Sequence, residues 1–402
     1  MQQSYFDTCP NRRGTNSYKW DYFDEDKLPM WVADMDFLSP EPVIRALRER
    51  VEHGVFGYTA HPPQMKGLLV ERMQRLYNWT ITEEDILFVP GVVLGFNLAI
   101  QAVTQPGDGI LIQPPVYGPF LSSAKFADCS TQEAPLKMGA NQQYEIDFDE
   151  FENAIEKDIT RAFLFCNPHN PGGRVYRKDE LTQIADICLK NDLTIVSDEI
   201  HCDLVFKGHT HIPIASLSPE IAAHSITVMA PSKTFNIAGL GASFMIVQNP
   251  DLRKKIHQAQ KGIIAHVDLL AYTAMLASYT EGQEWLDALL IYLEGNRDYI
   301  NRFVKEELPG VKCGLNEATY LAWLDCRESG IWTPTKLDKN IDPHLIKGSM
   351  QTFFLEKANV AMNSGLFFGA AGDGFVRLNF GCPRSHVEEA LHRMKDALEN
   401  VK

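Results

Sequence analysis

The sequence predicts an α/β protein, with a mostly parallel sheet covered by helices on both faces and a smaller α+β domain after it. Three observations lead there. Short runs rich in β-branched and apolar residues alternate with amphipathic stretches from residue 86 to residue 247. Four of those runs end in residues suited to chemistry rather than to packing. The 402 residues also exceed what one small core accommodates, so two domains are expected.

Residues 1–30 are polar and aromatic, with K-W-D-Y-F around Trp20, and read as an arm packed on another part of the molecule. The segment M-W-V-A-D-M-D-F (30–37) is compact, apolar and acidic, and it leads to Ser39-Pro40, a helix start. The helix over 41–53 sets Val43, Leu47 and Val51 on one face. A glycine-hinged loop, F-G-Y-T, then carries Tyr58, and a second amphipathic helix covers 65–78. The strand at 86–90 enters the apolar helix 95–103 through Gly91-Val92-Val93. Further strands are G-I-L-I-Q (109–113), R-A-F-L-F-C (161–166), L-T-I-V-S (193–197), S-I-T-V-M (225–229) and A-S-F-M-I-V (242–247), with a helix over 178–191. The long helix 281–307 presents Trp285, Leu289, Tyr292, Leu293, Tyr299, Ile300 and Phe303 on one face and stops at L-P-G, a bridge out of the large domain. Beyond it come an apolar stretch at 319–325, a polar loop at 327–342, a helix over 343–359, the strand F-V-R-L-N-F around Arg377, and a last helix over 385–401. The expected division is an arm with part of the small domain at 1–45, a large domain at 46–284, and the bridge with the small domain at 285–402.

Hydrophobic residues at 45% and charged residues at 22% are ordinary for a soluble globular chain. A formal charge of −14 argues against nucleic acid or an anionic membrane as partner. The eight cysteines form no C-x-x-C pair and no zinc spacing with histidine, so no metal and a reduced, cytoplasmic setting are the plain reading. The N-terminus lacks the apolar core of a signal peptide, and no window reaches the ~20 apolar residues of a membrane span.

The chemistry gathers around A-P-S-K-T-F-N-I-A-G-L-G (230–241), which follows a strand. Lys233, beside Ser232 and just past a strand end, has the setting a Schiff-base lysine needs: rigid support, shielding from water and a hydroxyl for an anion. Taken alone, a Ser-Lys pair is more often a surface feature than a catalytic one. V-S-D-E-I-H delivers Asp198 to another strand end, N-P-H-N-P-G-G supplies Asn170 after a third, and P-P-V-Y-G-P-F supplies Tyr117 after a fourth. In open α/β sheets the carboxyl ends of strands are where ligands bind. The Gly91 turn opens a helix whose free N–H groups and dipole suit a phosphate, and it serves equally as a tight strand–helix connection.

Together these segments resemble the pyridoxal-phosphate (PLP) enzymes of fold type I, the aspartate-aminotransferase superfamily, over most of the chain. The resemblance implies a seven-stranded, mostly parallel sheet in the large domain. It implies that Lys233 carries the cofactor and later moves the substrate's Cα proton, and that Asp198 pairs with the pyridine nitrogen. Asn170 would bond the cofactor's 3′-oxygen, with His201 standing where a tyrosine usually does the same. Tyr117 would stack on the ring; Ser232, the Gly91 and Val92 amides and Tyr58 of a neighbouring subunit would hold the phosphate. Arg377 would grip the substrate carboxylate. A homodimer with shared sites follows from the Tyr58 role.

One departure narrows the family. Aminotransferases usually place an arginine eight residues after the lysine, and here that position is Gly241. With M-W-V-A-D-M-D-F, D-E-I-H and S-K-T-F-N-I-A-G-L, the chain looks like the MalY/PatB group of carbon–sulfur lyases, of cystathionine β-lyase type. The implied reaction is α,β-elimination from cystathionine or another cysteine S-conjugate. An aminotransferase with the same site, and a PLP-fold regulator without activity, stand as alternatives.

Overall fold

The computed structural model describes residues 3–335 and 347–401. Seven strands form the large sheet: β1 (Ile86–Val89), β2 (Gly109–Ile112), β3 (Ser130–Glu133), β4 (Thr160–Cys166), β5 (Thr194–Asp198), β6 (Ser225–Met229) and β7 (Ser243–Ile246). Their order is β1-β7-β6-β5-β4-β2-β3, and β7 alone among them runs antiparallel to its neighbours. Every residue of β6 is buried, and of β4 and β5 all but Arg161 and Thr194, because helices cover both faces; hence the unbroken apolar runs in their sequences. The edge strand β3 is the one the sequence did not mark: S-T-Q-E leaves Ser130, Thr131 and Glu133 exposed, so it carries no apolar signal.

The helices are α1 (Glu41–Glu52), α2 (Met65–Tyr77), α3 (Val92–Val103), α4 (Gly118–Phe126), α5 (Phe148–Asn153), α6 (Lys178–Lys190), α7 (Pro219–Ala223), α8 (Pro250–Gln260), α9 (Leu269–Glu281), α10 (Gln283–Glu307), α11 (Ser349–Lys357) and α12 (Arg384–Glu399). Apolar α3 lies across the sheet with Gly95 against it; a Cβ there would stand 3.0 Å from Val228 Cγ1 and 3.2 Å from Val89 Cγ2, so a larger residue would press both side chains aside.

Two expectations are corrected. The long helix begins at Gln283 and not 281, because Gly282 separates it from α9; a Cβ at Gly282 would lie 2.4 Å from the Ser278 carbonyl oxygen and 2.6 Å from the Phe235 ring. On α1 the apolar face buries Val43 but leaves Val51 half exposed, since the cluster formed with Ile237, Ala274 and Ala277 reaches only to Leu47.

The second sheet is antiparallel: β8 (Lys312–Cys313), β9 (Leu321–Asp325), β10 (Asn363–Ser364) and β11 (Phe375–Asn379), in the order β8-β9-β11-β10. Its core takes in the aromatic face of α10, the inner face of α12, and Phe6 of the N-terminal arm, which meets Phe37 edge-on at 5.0 Å and Trp285 at 5.7 Å. Of the helix predicted over 343–359, the part at 343–346 lies outside the described residues; helix is formed from Ser349, just past Gly348. No described helix is long and apolar enough to cross a membrane.

Candidate active site

The strand order sets the carboxyl ends of β6, β5, β4 and β2 side by side, and the segments leaving them carry Lys233, Asp198, Asn170 and Tyr117. A cavity of about 690 Å³ opens over these ends. It is lined by nine of the ten residues singled out above: Gly91, Val92, Tyr117, Asn170, Asp198, His201, Ser232, Lys233 and Arg377. Tyr58 is not among the lining; its ring stands fully exposed on the loop after α1.

Lys233 follows the rigid end of β6, and its Nζ donates to the Ala33 carbonyl at 2.7 Å. Burial pushes its amine down to about 8, with Asp34 and Asp198 drawing it up and Arg377 down. Asp198 is the last residue of β5, where Oδ1 accepts the Ile200 N–H at 3.1 Å. Burial pushes this carboxyl up to about 7, against the pull of that N–H and of Lys233. Lys233 is the cation that favours its charged form, and a positive group brought against it from outside would favour that form further.

His201, buried three residues on, leaves Nδ1 without a partner among the described residues, and burial beside Lys233 and Arg377 pushes the ring down to about 3, a neutral imidazole. Arg377 comes from β11 of the other sheet. Its Nη1 donates to Asn170 Oδ1 at 3.1 Å, and its Nη2 donates to Asn363 Oδ1 at 2.7 Å and the Trp31 carbonyl at 3.0 Å. The guanidinium lies 4.9 Å over the Phe368 ring, its Nε has no partner among the described residues, and burial pushes it down to about 10. Neutral acceptors thus orient a buried cation and leave its charge for an anion.

Gly91 caps α3 at φ 122°, a conformation that favours glycine. Its N–H is already engaged, by Ser243 Oγ at 3.0 Å and the Val89 carbonyl at 3.0 Å. The donors left for an anion are therefore those of Val92, Val93 and Leu94, which precede the first helical bond from Gly95 to Gly91. Of the two amides expected to meet a phosphate, Gly91 and Val92, the Gly91 N–H already has these two acceptors. Ser232 is buried at the same end, and Gly241 lines the wall at φ 63°.

Several site groups escaped the sequence reading. The carbonyls of Trp31 and Ala33 are backbone acceptors and carry no residue-type signature, although their segment stood out as apolar and acidic. Asn363 sits in a two-residue strand. Tyr18, Tyr22 and Phe23 pack around Trp31 at 5.0, 5.0 and 5.4 Å and form an aromatic wall of the cavity.

The arrangement can hold an anion at the α3 terminus, a flat ring with a cationic nitrogen against Asp198, a carbonyl carbon at the Lys233 amine and a carboxylate at Arg377. The unpartnered His201 Nδ1 and Arg377 Nε, both buried, are the hydrogen-bonding capacity such a ligand and substrate would use.

The sequence pattern of the family Aminotransferase class I and II matches residues 25–394. The chain is 41% identical to cystathionine beta-lyase PatB from Bacillus subtilis, over 98% of this chain and 99% of that one. It is 31% identical to protein MalY from Escherichia coli, covering 99% of each. Cystalysin from Treponema denticola, whose crystal structure contains a pyridoxal 5′-phosphate cofactor, superposes with a TM-score of 0.92 at 35% identity, over 99% of each chain.

Proposed function

The chain belongs to the class I and II aminotransferase family, and on that premise we propose that its cavity performs PLP-dependent α,β-elimination on cysteine S-conjugates such as L-cystathionine. The products are a thiol, pyruvate and ammonia. One observation carries the reading: a buried amine of lowered basicity, Lys233, shares a cavity with the buried carboxylate of Asp198 and the uncompensated guanidinium of Arg377.

When bound, the cofactor supplies an electron sink for the pair released as the substrate's Cα–H bond breaks. Lys233, Asp198, Asn170, His201, Tyr117, Ser232 and the first free N–H groups of α3 would hold it. Arg377 binds and orients the substrate carboxylate. Lys233, neutral when freed, takes the proton from Cα. Asp198 would pair with the cofactor's ring nitrogen as a carboxylate and so favour its protonated form. The electron pair from Cα–H forms the Cα=Cβ bond, and the Cβ–S pair departs with sulfur as thiolate. The aminoacrylate released hydrolyses to pyruvate and ammonia.

The full-length relatives favour elimination over transamination, and so does Gly241, which removes the charge that would retain a free amine form of the cofactor. The test is incubation with L-cystathionine and no keto-acid acceptor. Stoichiometric pyruvate is expected; glutamate from alanine and 2-oxoglutarate, with no pyruvate from cystathionine, overturns elimination in favour of the aminotransferase.

The same reading makes the protein a homodimer with shared sites. The loop after α1 exposes Val55, Phe56 and Tyr58 together, and Ile263 stands exposed as well, apolar surface that a second copy would cover. Eight unpaired cysteines support a reduced, cytoplasmic setting.

A further inference from the structure

The segment from Trp31 to Asp36 has no regular secondary structure, yet it is bonded on both sides. On its inner side, the Ala33 carbonyl accepts Lys233 Nζ at 2.7 Å and the Tyr320 hydroxyl at 2.9 Å. The Trp31 carbonyl accepts Arg377 Nη2 at 3.0 Å, and the Asp34 carbonyl accepts Asn379 Nδ2 at 2.7 Å. On its outer side, Arg12 Nη2 donates to Asp34 Oδ2 at 2.6 Å and Nη1 to Asp34 Oδ1 at 3.2 Å. Asp36, fully buried, accepts from Arg12 at 2.6 Å, from Lys19 at 2.8 Å and from Trp20 Nε1 at 2.8 Å.

The two aspartates are not equivalent. Asp36 anchors the segment, since three donors of the N-terminal arm converge on it. Cys382 and His386 bring ligand atoms within 4.8 Å of it, but both Asp36 oxygens are taken by those donors, so the group reads as an ion-pair cluster. Asp34 is partly exposed and adds little burial; what it adds is a negative charge one residue from the carbonyl that Lys233 meets. The groups facing Lys233 are Asp34 from this segment, Asp198 and His201 from the end of β5, Arg377 from β11, and the Tyr320 phenol ahead of β9. Of these, Asp34 has a two-point clamp from the arm.

We infer that Asp34, clamped by Arg12, is a positioning residue for Lys233: the pair fixes the Ala33 carbonyl on which the free amine rests and sets the charge that the lysine nitrogen meets. This rests on Lys233 being the residue that carries the cofactor. It ties residues 12–34, outside the sheet that bears the lysine, to the proton-transfer step. Burial lowers the basicity of the Lys233 amine and the Asp34 charge opposes that, so the geometry and the charge act on one atom.

The test is a pH titration of the holoenzyme's visible absorbance, whose midpoint reports protonation of the nitrogen contributed by Lys233. Asp34→Asn removes an attractive charge and should lower the midpoint by roughly half to one pH unit. Arg12→Gln removes the nearer of two cations on Asp34, leaving Lys19 Nζ at 3.8 Å from Oδ1, and should raise it. Asp26→Asn, the same change of charge at an exposed site, should leave it in place. Loss of cofactor or thermal stability in Asp34→Asn and Arg12→Gln, with both midpoints at the wild-type value, would mean a purely structural role and overturn the inference. If Asp34→Asn yields no folded holoenzyme, the direction of the Arg12→Gln shift decides alone. A pH-dependent band that persists in Lys233→Ala would instead refute the lysine assignment itself.

Discussion

Arg377 donates from Nη1 to Asn170 Oδ1 at 3.1 Å, a bond that joins β11, an inner strand of the small sheet, to the turn leaving β4 of the large one. The same guanidinium is shared with Asn363 and the Trp31 carbonyl, so three acceptors at fixed spacing set its plane. A lysine at this position offers one mobile point charge and cannot meet all three at once. Arg377→Lys should therefore raise KM for the amino-acid substrate by roughly 10- to 150-fold, the ~1.5–3 kcal/mol of a lost charge-assisted pair, with a smaller effect on kcat. Steady-state kinetics with L-cystathionine measure it, and an unchanged KM would place the carboxylate elsewhere.

Asp198 bears on the cofactor-free protein. Its folded pKa is raised, so between the ordinary carboxylate value near 4 and about 7 the folded state holds a proton that the unfolded state has lost. Stability from this group is present at low pH and falls as pH rises through that window, by up to about 4 kcal/mol at neutrality. Apoprotein Tm should drop from pH 5 to pH 7 more steeply in wild type than in Asp198→Asn, and bound cofactor should abolish the difference. Parallel Tm curves for the two apoproteins would show that Asp198 ionises freely.

What the sequence made legible divides along physical lines. Strands buried on both faces announce themselves, as R-A-F-L-F-C and S-I-T-V-M do, and polar residues at their ends stand out against them. The helix α9, L-L-A-Y-T-A-M-L-A-S-Y-T-E, passed unmarked because apolar and small residues surround it without a clear polar face. Val51 was misassigned because periodicity shows that a face is apolar but not how far the partner extends. The Ala33 carbonyl was invisible because every residue carries one; only the chain's path brings it to Lys233.

The Asp36 cluster sets an acid limit on stability. Burial alone would raise this carboxyl, but Lys19, Trp20 and Arg12 outweigh it and hold it below its ordinary value. A depressed carboxylate contributes stability that is present above the unfolded pKa and lost as pH falls through the folded one. Asp36→Asn leaves Lys19 buried without its counter-charge and should cost about 3–5 kcal/mol near neutral pH. Wild-type Tm should fall below about pH 4, where the variant's curve is flatter. Urea titrations at pH 3, 5 and 7 would expose either failure.

Tyr58 tests the shared site. Its ring is free in the single chain, on a loop whose neighbours Val55 and Phe56 are also exposed. If it completes a partner's phosphate contacts, Tyr58→Phe should weaken cofactor retention several-fold, about 0.5–1.5 kcal/mol for one hydrogen bond, and leave the dimer intact. Light scattering with cofactor stoichiometry checks both; a monomer with full occupancy removes the shared site.

Gly241 separates lyase from transaminase most directly, and its backbone sharpens the test. At φ 63° the position is left-handed, and a Cβ there would clear the nearest atom, the Pro90 carbonyl oxygen, at 3.7 Å. Space therefore permits a side chain while conformation opposes it, at about 1–2 kcal/mol for an ordinary L-residue and less for asparagine. Gly241→Asn serves as the control for backbone cost alone. Gly241→Arg adds a guanidinium on the wall of the cavity that also contains Ser232 and the opening turn of α3. Compared with the asparagine variant, it should slow dialysis of the cofactor's free amine form and raise glutamate formation from alanine and 2-oxoglutarate. Both effects follow from Coulomb attraction to the phosphate and should weaken with salt. Equal retention in the two variants would mean that the missing arginine has no bearing on which reaction this site performs.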